Sequence, residues 1–178
     1  MSAANYAINR KAVLLDEGPG GTAAPGDPGK LTVFGITEVF EPHWTGWPRA
    51  LALIAAGTHP LDFWNDAELM GHVDDYYMAI YKQTGADSIQ NGELAGCLFG
   101  GVVNEGPKVI GWLQTILGLH ADEVAGPATL AAIAEREAKG DGRLLFLELL
   151  TKRTNYYAHT AKAEFLDGLI LRANERGA

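Results

Sequence analysis

Cysteine is almost absent from this chain. Cys97 stands alone, so no intrachain disulfide can form and folding has to rest on a packed core. Serine is as scarce: Ser2 and Ser88 are the only two, and neither sits in a nucleophile elbow, which excludes a serine hydrolase of that kind. The five histidines are scattered without an HExxH or similar ligand spacing, which argues against a zinc peptidase or amidase and leaves no metal site to expect. No apolar run approaches the roughly 20 residues a membrane span needs; the longest, Leu94 to Val103, carries three glycines. The opening MSAANYAINRK has no apolar signal core, so the chain is expected to be made in the cytoplasm and to need another agent to reach any target outside it. No internal repeat or low-complexity segment is visible.

Basic charge is also short. The formal net charge is −8 and the pI about 5, where a general nucleic-acid binder would be basic. The deficit is uneven: residues 143–178 hold six Lys/Arg against four Asp/Glu. That basic end either faces an anionic polymer or is a solvated helix face.

What is present reads as one domain of ordinary globular composition, with 47% hydrophobic residues in 178, long enough to bury a core. The expected architecture is mainly α, with one small β-hairpin after the first helix. A half spanning residues 1–90 would carry the first helix, the hairpin and the helices that follow, and a second helical half would span residues 91–178. Ile8, Ala12, Val13 and Leu15 recur at helical spacing, and Gly18-Pro19-Gly20-Gly21 stops that helix. Glu17 is thereby its last side chain, at the mouth of a glycine- and proline-rich loop. Leu31 to Thr37 is β-branched and apolar enough for a short strand, half of the hairpin. Trp44 and Trp47, in WTGWP, fall in an expected surface loop. From Arg49 the pattern is helical, broken at Gly57–Pro60, Thr84–Ser88, Asn104–Pro107, Leu119–Pro127 and Lys139–Gly142. Asn65-x-x-Glu68 reads as a capping box, Pro127 as the first turn of a helix, and the glycine-rich Glu93 to Val103 as a buried central helix.

Glycoside cleavage requires a carboxylic acid to protonate the leaving oxygen, and a second group to guide water or attack the anomeric carbon. The acid works best where a partly desolvated setting raises its pKa. A glutamate at the end of a buried helix meets that demand. Asp27 and Thr32 follow in the loop and hairpin, and a hairpin folded back over the helix end brings both toward a water near Glu17. Trp44 and Trp47 are candidates to stack on sugars, and Asn104, before Gly106-Pro107, to contact one. Trp112, within an apolar stripe, reads as core, as does Cys97; Glu105 reads as a helix-start charge and Glu93 as a surface charge.

The run Leu14-Leu15-Asp16-Glu17-Gly18, then Asp27-Pro28-Gly29, then Thr32-Val33-Phe34-Gly35-Ile36-Thr37, resembles the signature of the glycoside hydrolase family 108 muramidases. Leu98 to Gln114 is similar to that family's Val-Asn-x-Gly…Leu-Gln helix pair. Ala125-Gly126-Pro127-Ala128-Thr129-Leu130 is similar to the Gly-Pro-x-Thr-Leu element of the associated predicted peptidoglycan domain. Arg153, Tyr156, Phe165 and Gly168 follow its Arg…Tyr…Phe-x-x-Gly order. The resemblance implies a lysozyme-like fold, no cofactor, and cleavage of the β-1,4 bond between N-acetylmuramic acid and N-acetylglucosamine in bacterial peptidoglycan. It implies Glu17 as general acid, Asp27 as the group that positions or deprotonates water, and Thr32 as a holder of that water. Such a protein acts on the cell wall as a phage endolysin released through a holin, or as a virion-associated lysin, with neither nucleic acid nor stable membrane insertion. The chain departs from the pattern at Pro19, Gly20, Lys30 and Gly100. A lytic transglycosylase using Glu17 alone, and a non-catalytic peptidoglycan-binding or virion structural module on the same fold, stay open.

Overall fold

The computed structural model describes residues 2–20 and 31–160. It is mainly helical, with one two-stranded hairpin: α1 (Ser2–Glu17), β1 (Thr32–Val33), β2 (Ile36–Thr37), α2 (Trp47–Ala55), α3 (Ala67–Gln83), α4 (Gly92–Glu105), α5 (Lys108–Ile116), α6 (Pro127–Ala138) and α7 (Gly142–Thr160). Short 3-10 turns at Pro60–Asn65 and Ala86–Ser88 flank α3. Among the described residues no helix is long and apolar enough to cross a membrane. Two compact units divide the chain: Arg10–Ala79, and Ile80–Ala178 together with Met1–Asn9. The division falls within α3, and α1 begins in one unit and ends in the other.

In the unit Arg10–Ala79 the helix ends follow local chemistry. Gly18 takes a φ of +66° and its N–H donates to the Leu14 carbonyl at 3.0 Å, a left-handed stop directly after Glu17. The cap of α3 is Asp66 and not Asn65: Asp66 Oδ1 accepts from the Leu69 N–H at 2.9 Å. Arg49 braces the same carboxylate, whose pKa is held below its ordinary value by that side-chain bond and by the Leu69 amide. Leu69, Val73 and Tyr77, spaced four apart, are buried as an amphipathic stripe requires.

The hairpin occupies less chain than its sequence predicts. Leu31 to Thr37 forms both strands, with Thr32 opposite Thr37 and Val33 opposite Ile36. Phe34 and Gly35 make the turn between them, at φ +48° and +77°. Two consecutive positive-φ residues are what a two-residue type I′ loop demands.

WTGWP is also not the exposed loop expected. Trp44 and Trp47 are 8% and 7% exposed, edge to face at 4.9 Å. Trp44 Nε1 donates to the His72 carbonyl at 3.2 Å and Trp47 Nε1 to the Glu41 carbonyl at 2.7 Å. Gly46 explains the motif, because a Cβ there would lie 2.3 Å from the Trp44 ring. Burying about 200 Å² of each indole with its N–H satisfied makes this pair a core element.

In the other unit α4 packs against α5 and α7, and α6 against α7. Leu94 to Gly101 are all buried, as the glycine-rich run predicts. Glu105, read from sequence as a helix-start charge, is the buried last residue of α4. Its carboxylate takes a two-pronged hold from Arg153, Nε to Oε2 at 2.8 Å and Nη2 to Oε1 at 2.9 Å, while Nη1 donates to the Cys97 carbonyl at 3.1 Å. Burial opposes the Arg153 charge, but the bonds to Glu105 and Cys97 outweigh it and hold the guanidinium above its ordinary pKa. Gly101 makes room for this pair, since a Cβ would stand 3.2 Å from Arg153 Nε and 2.8 Å from Val109.

Buried ion pairs differ little from well-packed apolar isosteres, yet removing one partner strands the other charge. Glu105→Ala should therefore lower stability by about 3–5 kcal/mol, read by urea unfolding. A loss below about 1 kcal/mol would show that Arg153 finds water or another acceptor.

Candidate functional site

Glu17 ends α1 as a half-buried side chain, and the chain then turns against the hairpin. The Phe34 N–H reaches the Pro19 carbonyl at 3.4 Å. Gly20, at φ +59°, lies so near β1 that a Cβ would be 2.2 Å from the Thr32 carbonyl oxygen. The Gly18-Pro19-Gly20 run is thus a close backbone approach as well as a helix stop.

The turn of the hairpin meets the glutamate. A Cβ on Gly35 would stand 2.6 Å from Glu17 Oε2 and 2.8 Å from its Cδ. The carboxyl group therefore occupies the space that any other residue at 35 would fill. Glycine is required there twice, once by positive φ and once by Glu17. Phe34 sits in the same left-handed region with a bulky side chain, which costs roughly 1–2 kcal/mol. Three contacts hold it: its ring is fully buried, Trp64 meets it edge to face at 4.7 Å, and Tyr77 donates from its hydroxyl to the Phe34 carbonyl at 2.6 Å. Strain that the surroundings fix in this way is characteristic of functional sites.

A second carboxylate enters from the turn after β2. The Glu41 N–H donates to the Thr37 carbonyl at 2.8 Å, and Tyr76 on α3 donates from its hydroxyl to Glu41 Oε1 at 3.2 Å. Burial pushes the Tyr76 phenol up to about 12, assisted by the Glu41 charge and hydrogen bond and then by the Glu17 charge. Two carboxylates thus act on one neutral phenol. Such a group of acids, with a fixed proton donor, is equipped to give and take protons around a bound substrate.

Of the residues singled out by sequence, Glu17 lies against the turn of the hairpin, and Thr32 is on its first strand, beside Gly20. Asp27 lies outside the described residues. Trp44 and Trp47 point their indole N–H groups into the core, which removes them as free stacking surfaces; half-buried Trp64, on the turn beside Phe34, is the tryptophan placed at this site. Asn104 is exposed on the last turn of α4, in the other unit. Spacing does not single out Glu41, Tyr76 or Trp64, because their partners lie 30 to 35 residues away in sequence. Among the described residues no group of three or more His, Cys, Asp or Glu could hold a metal ion.

Residues 108–176 match the family model described as the Predicted Peptidoglycan domain. No curated protein matches the chain, and no solved structure does. The match begins at the first residue of α5 and ties the chain to peptidoglycan. Its sequence elements have structural work in the fold. Gln114 is buried, with Nε2 reaching Asp122 Oδ1 at 2.6 Å, the Val124 carbonyl at 3.0 Å and Thr129 Oγ1 at 3.0 Å, while Oε1 accepts from the Glu123 N–H at 3.0 Å. Gln114 and Thr129 are thus two sides of one clasp that fixes the loop between α5 and α6.

Two measurements test the geometry at Glu17. Gly18 also has positive φ, but nothing lies within 4 Å of a Cβ there. Gly18→Ala should cost only backbone strain, about 1 kcal/mol, whereas Gly35→Ala should cost about 1–3 kcal/mol more through overpacking against Glu17. Equal losses in urea unfolding would mean that the carboxyl group moves aside freely.

The second concerns the phenol. A pKa raised on folding means the folded state holds the proton more tightly. The Tyr76 contribution to stability is therefore intact below about pH 10 and lost as pH climbs toward 12. Ultraviolet titration should show one tyrosine ionising near 12 that disappears in Tyr76→Phe and moves downward in Glu41→Gln. An unchanged titration in Glu41→Gln would remove Glu41 from the cluster.

Proposed function

We propose that this protein is a peptidoglycan hydrolase of the muramidase type, with Glu17 as its general acid. The observation that carries the reading is the seat of the Glu17 carboxyl group on Gly35, at the turn of a strained hairpin directly after the first helix. A general acid needs a fixed position and restricted solvent, and this seat provides both. The match of residues 108–176 supports the same substrate, and the resemblance to the family 108 muramidases supplies the bond: the β-1,4 link from N-acetylmuramic acid to N-acetylglucosamine.

In this mechanism protonated Glu17 gives its proton to the glycosidic oxygen as the bond to the anomeric carbon breaks. A carboxylate takes a proton from the attacking water. Asp27 holds that role by resemblance, with Thr32 ordering the water, and Glu41 is a further carboxylate acting in the same cluster. Tyr76 donates a hydrogen bond to Glu41. Trp64 offers a ring face to a sugar.

A second reading is a non-catalytic wall-binding module. It draws on the same match, which covers only α5 onward, and on Pro19 and Gly20 where the family signature has other residues.

Digestion of purified peptidoglycan, with soluble products resolved by mass spectrometry, separates the readings. Wild type should release muropeptides with reducing ends, and Glu17→Gln should lower the rate by about 10²–10⁴-fold without loss of fold. Anhydro-muropeptides would reassign the chain as a lytic transglycosylase. No release from walls of several species, with binding retained, would establish the module in place of the enzyme.

A further inference from the structure

Three side chains on α5 and α7, which play no part in the cluster around Glu17, form a platform at the surface. Lys108 opens α5 and Trp112 follows one turn later on the same face; Tyr156 stands opposite on α7. Lys108 Nζ donates to the Tyr156 hydroxyl at 2.8 Å and lies 4.4 Å from the centre of its ring. The Trp112 and Tyr156 rings are 5.1 Å apart and inclined at 49°. All three residues are half-buried, so each keeps part of its surface for a ligand.

Trp112 differs from the tryptophans of the core. Trp44 and Trp47 are buried and donate their indole hydrogens to carbonyls. Trp112, read from sequence as core, retains exposure, and among the described residues its indole N–H donates no hydrogen bond. An aromatic with an apolar body, an unspent donor and a wet edge suits recognition more than packing. Beneath it the unit is rigidly braced: Arg153, three residues before Tyr156, is locked to Glu105, three residues before Lys108. The platform is thus preorganised, which lowers the ordering cost of binding.

We propose that Lys108, Trp112 and Tyr156 form a glycan-binding subsite for peptidoglycan, separate from the Glu17 cluster. The negative ring faces attract the weakly positive C–H faces of a pyranose. The indole N–H is free to meet an acetamido carbonyl or hydroxyl. The Lys108 ammonium, with Lys152 exposed one turn before Tyr156, complements the carboxylates of the peptide stem. The proposal rests on the peptidoglycan reading of the chain and not on turnover at Glu17.

The test uses the full chain carrying Glu17→Gln, so that binding is read without digestion. A soluble disaccharide-tetrapeptide muropeptide is added to the ¹⁵N-labelled protein, and the indole resonance missing from Trp112→Phe identifies Trp112. That resonance should shift on titration, and Trp112→Ala and Lys108→Ala should each weaken co-sedimentation with purified sacculi by at least about tenfold. An unmoved Trp112 resonance overturns the proposal even if Trp112→Ala fails to fold, as does sacculus binding within about twofold of the parent in folded variants. Binding through Trp112 with no turnover by the wild type would sink the muramidase reading and leave this one standing. Turnover with an unmoved Trp112 would do the reverse.

Discussion

The contact between Glu17 and Gly35 constrains everything around the candidate site. A carboxyl group fills the volume of a missing Cβ, so the end of α1 and the turn of the hairpin must be placed together or not at all. Gly18 stops the helix at that residue, Gly20 lets the chain run beside Thr32, and Phe34 accepts a left-handed conformation so that Gly35 can face Glu17. The Tyr77 hydroxyl and the buried Phe34 ring hold that conformation from the other side. Each is a local oddity, and together they answer a single requirement: a carboxyl group fixed at a helix end, within electrostatic reach of a phenol of raised pKa.

The unit containing α4 to α7 is organised by different means. Its interior holds charge, with Arg153 and Glu105 almost wholly buried, and an amide, Gln114, that fastens a loop by both ends of its side chain. Buried polar groups of this kind add little net stability, but they tolerate few alternative arrangements. The match to the predicted peptidoglycan domain begins at Lys108, beside this interior. Gln114, Thr129 and Arg153, which lie within the matched residues, are buried framework residues of the unit.

Much of the helical frame could be read from spacing. The stop at Gly18, the buried α4, the start of α6 at Pro127 and the breaks between helices all follow from glycine, proline and apolar period. The misreadings share one cause. Leu31 to Thr37 reads as one strand of the hairpin because a two-residue turn containing a phenylalanine carries no turn signature; only Tyr77, 43 residues on, makes Phe34 acceptable there. Asp66 displaced Asn65 as a cap because Arg49 holds it from another element. Glu105 reads as a helix-start charge because its partner is 48 residues away. At the site Glu17 was legible from its place at a helix end, whereas Glu41 and Tyr76 acquire meaning only from each other.

The tryptophans show why composition misleads about binding surfaces. A loop with two indoles beside glycine and proline looks like a sugar platform, yet Gly46 is there to let the Trp44 ring lie flat on the backbone, and both N–H groups are spent on carbonyls. Trp112, inside an apolar stripe, looks like core, yet its neighbours at the surface are a lysine and a tyrosine. What separates the two cases is the fate of the polar atom. A buried indole must find an acceptor within the fold, because an unsatisfied N–H costs about 1–3 kcal/mol. An indole at the surface can leave its donor to water until a ligand arrives. Hydrogen-bond accounting, and not hydrophobicity, therefore assigns Trp44 and Trp47 to the fold and Trp112 to the surface.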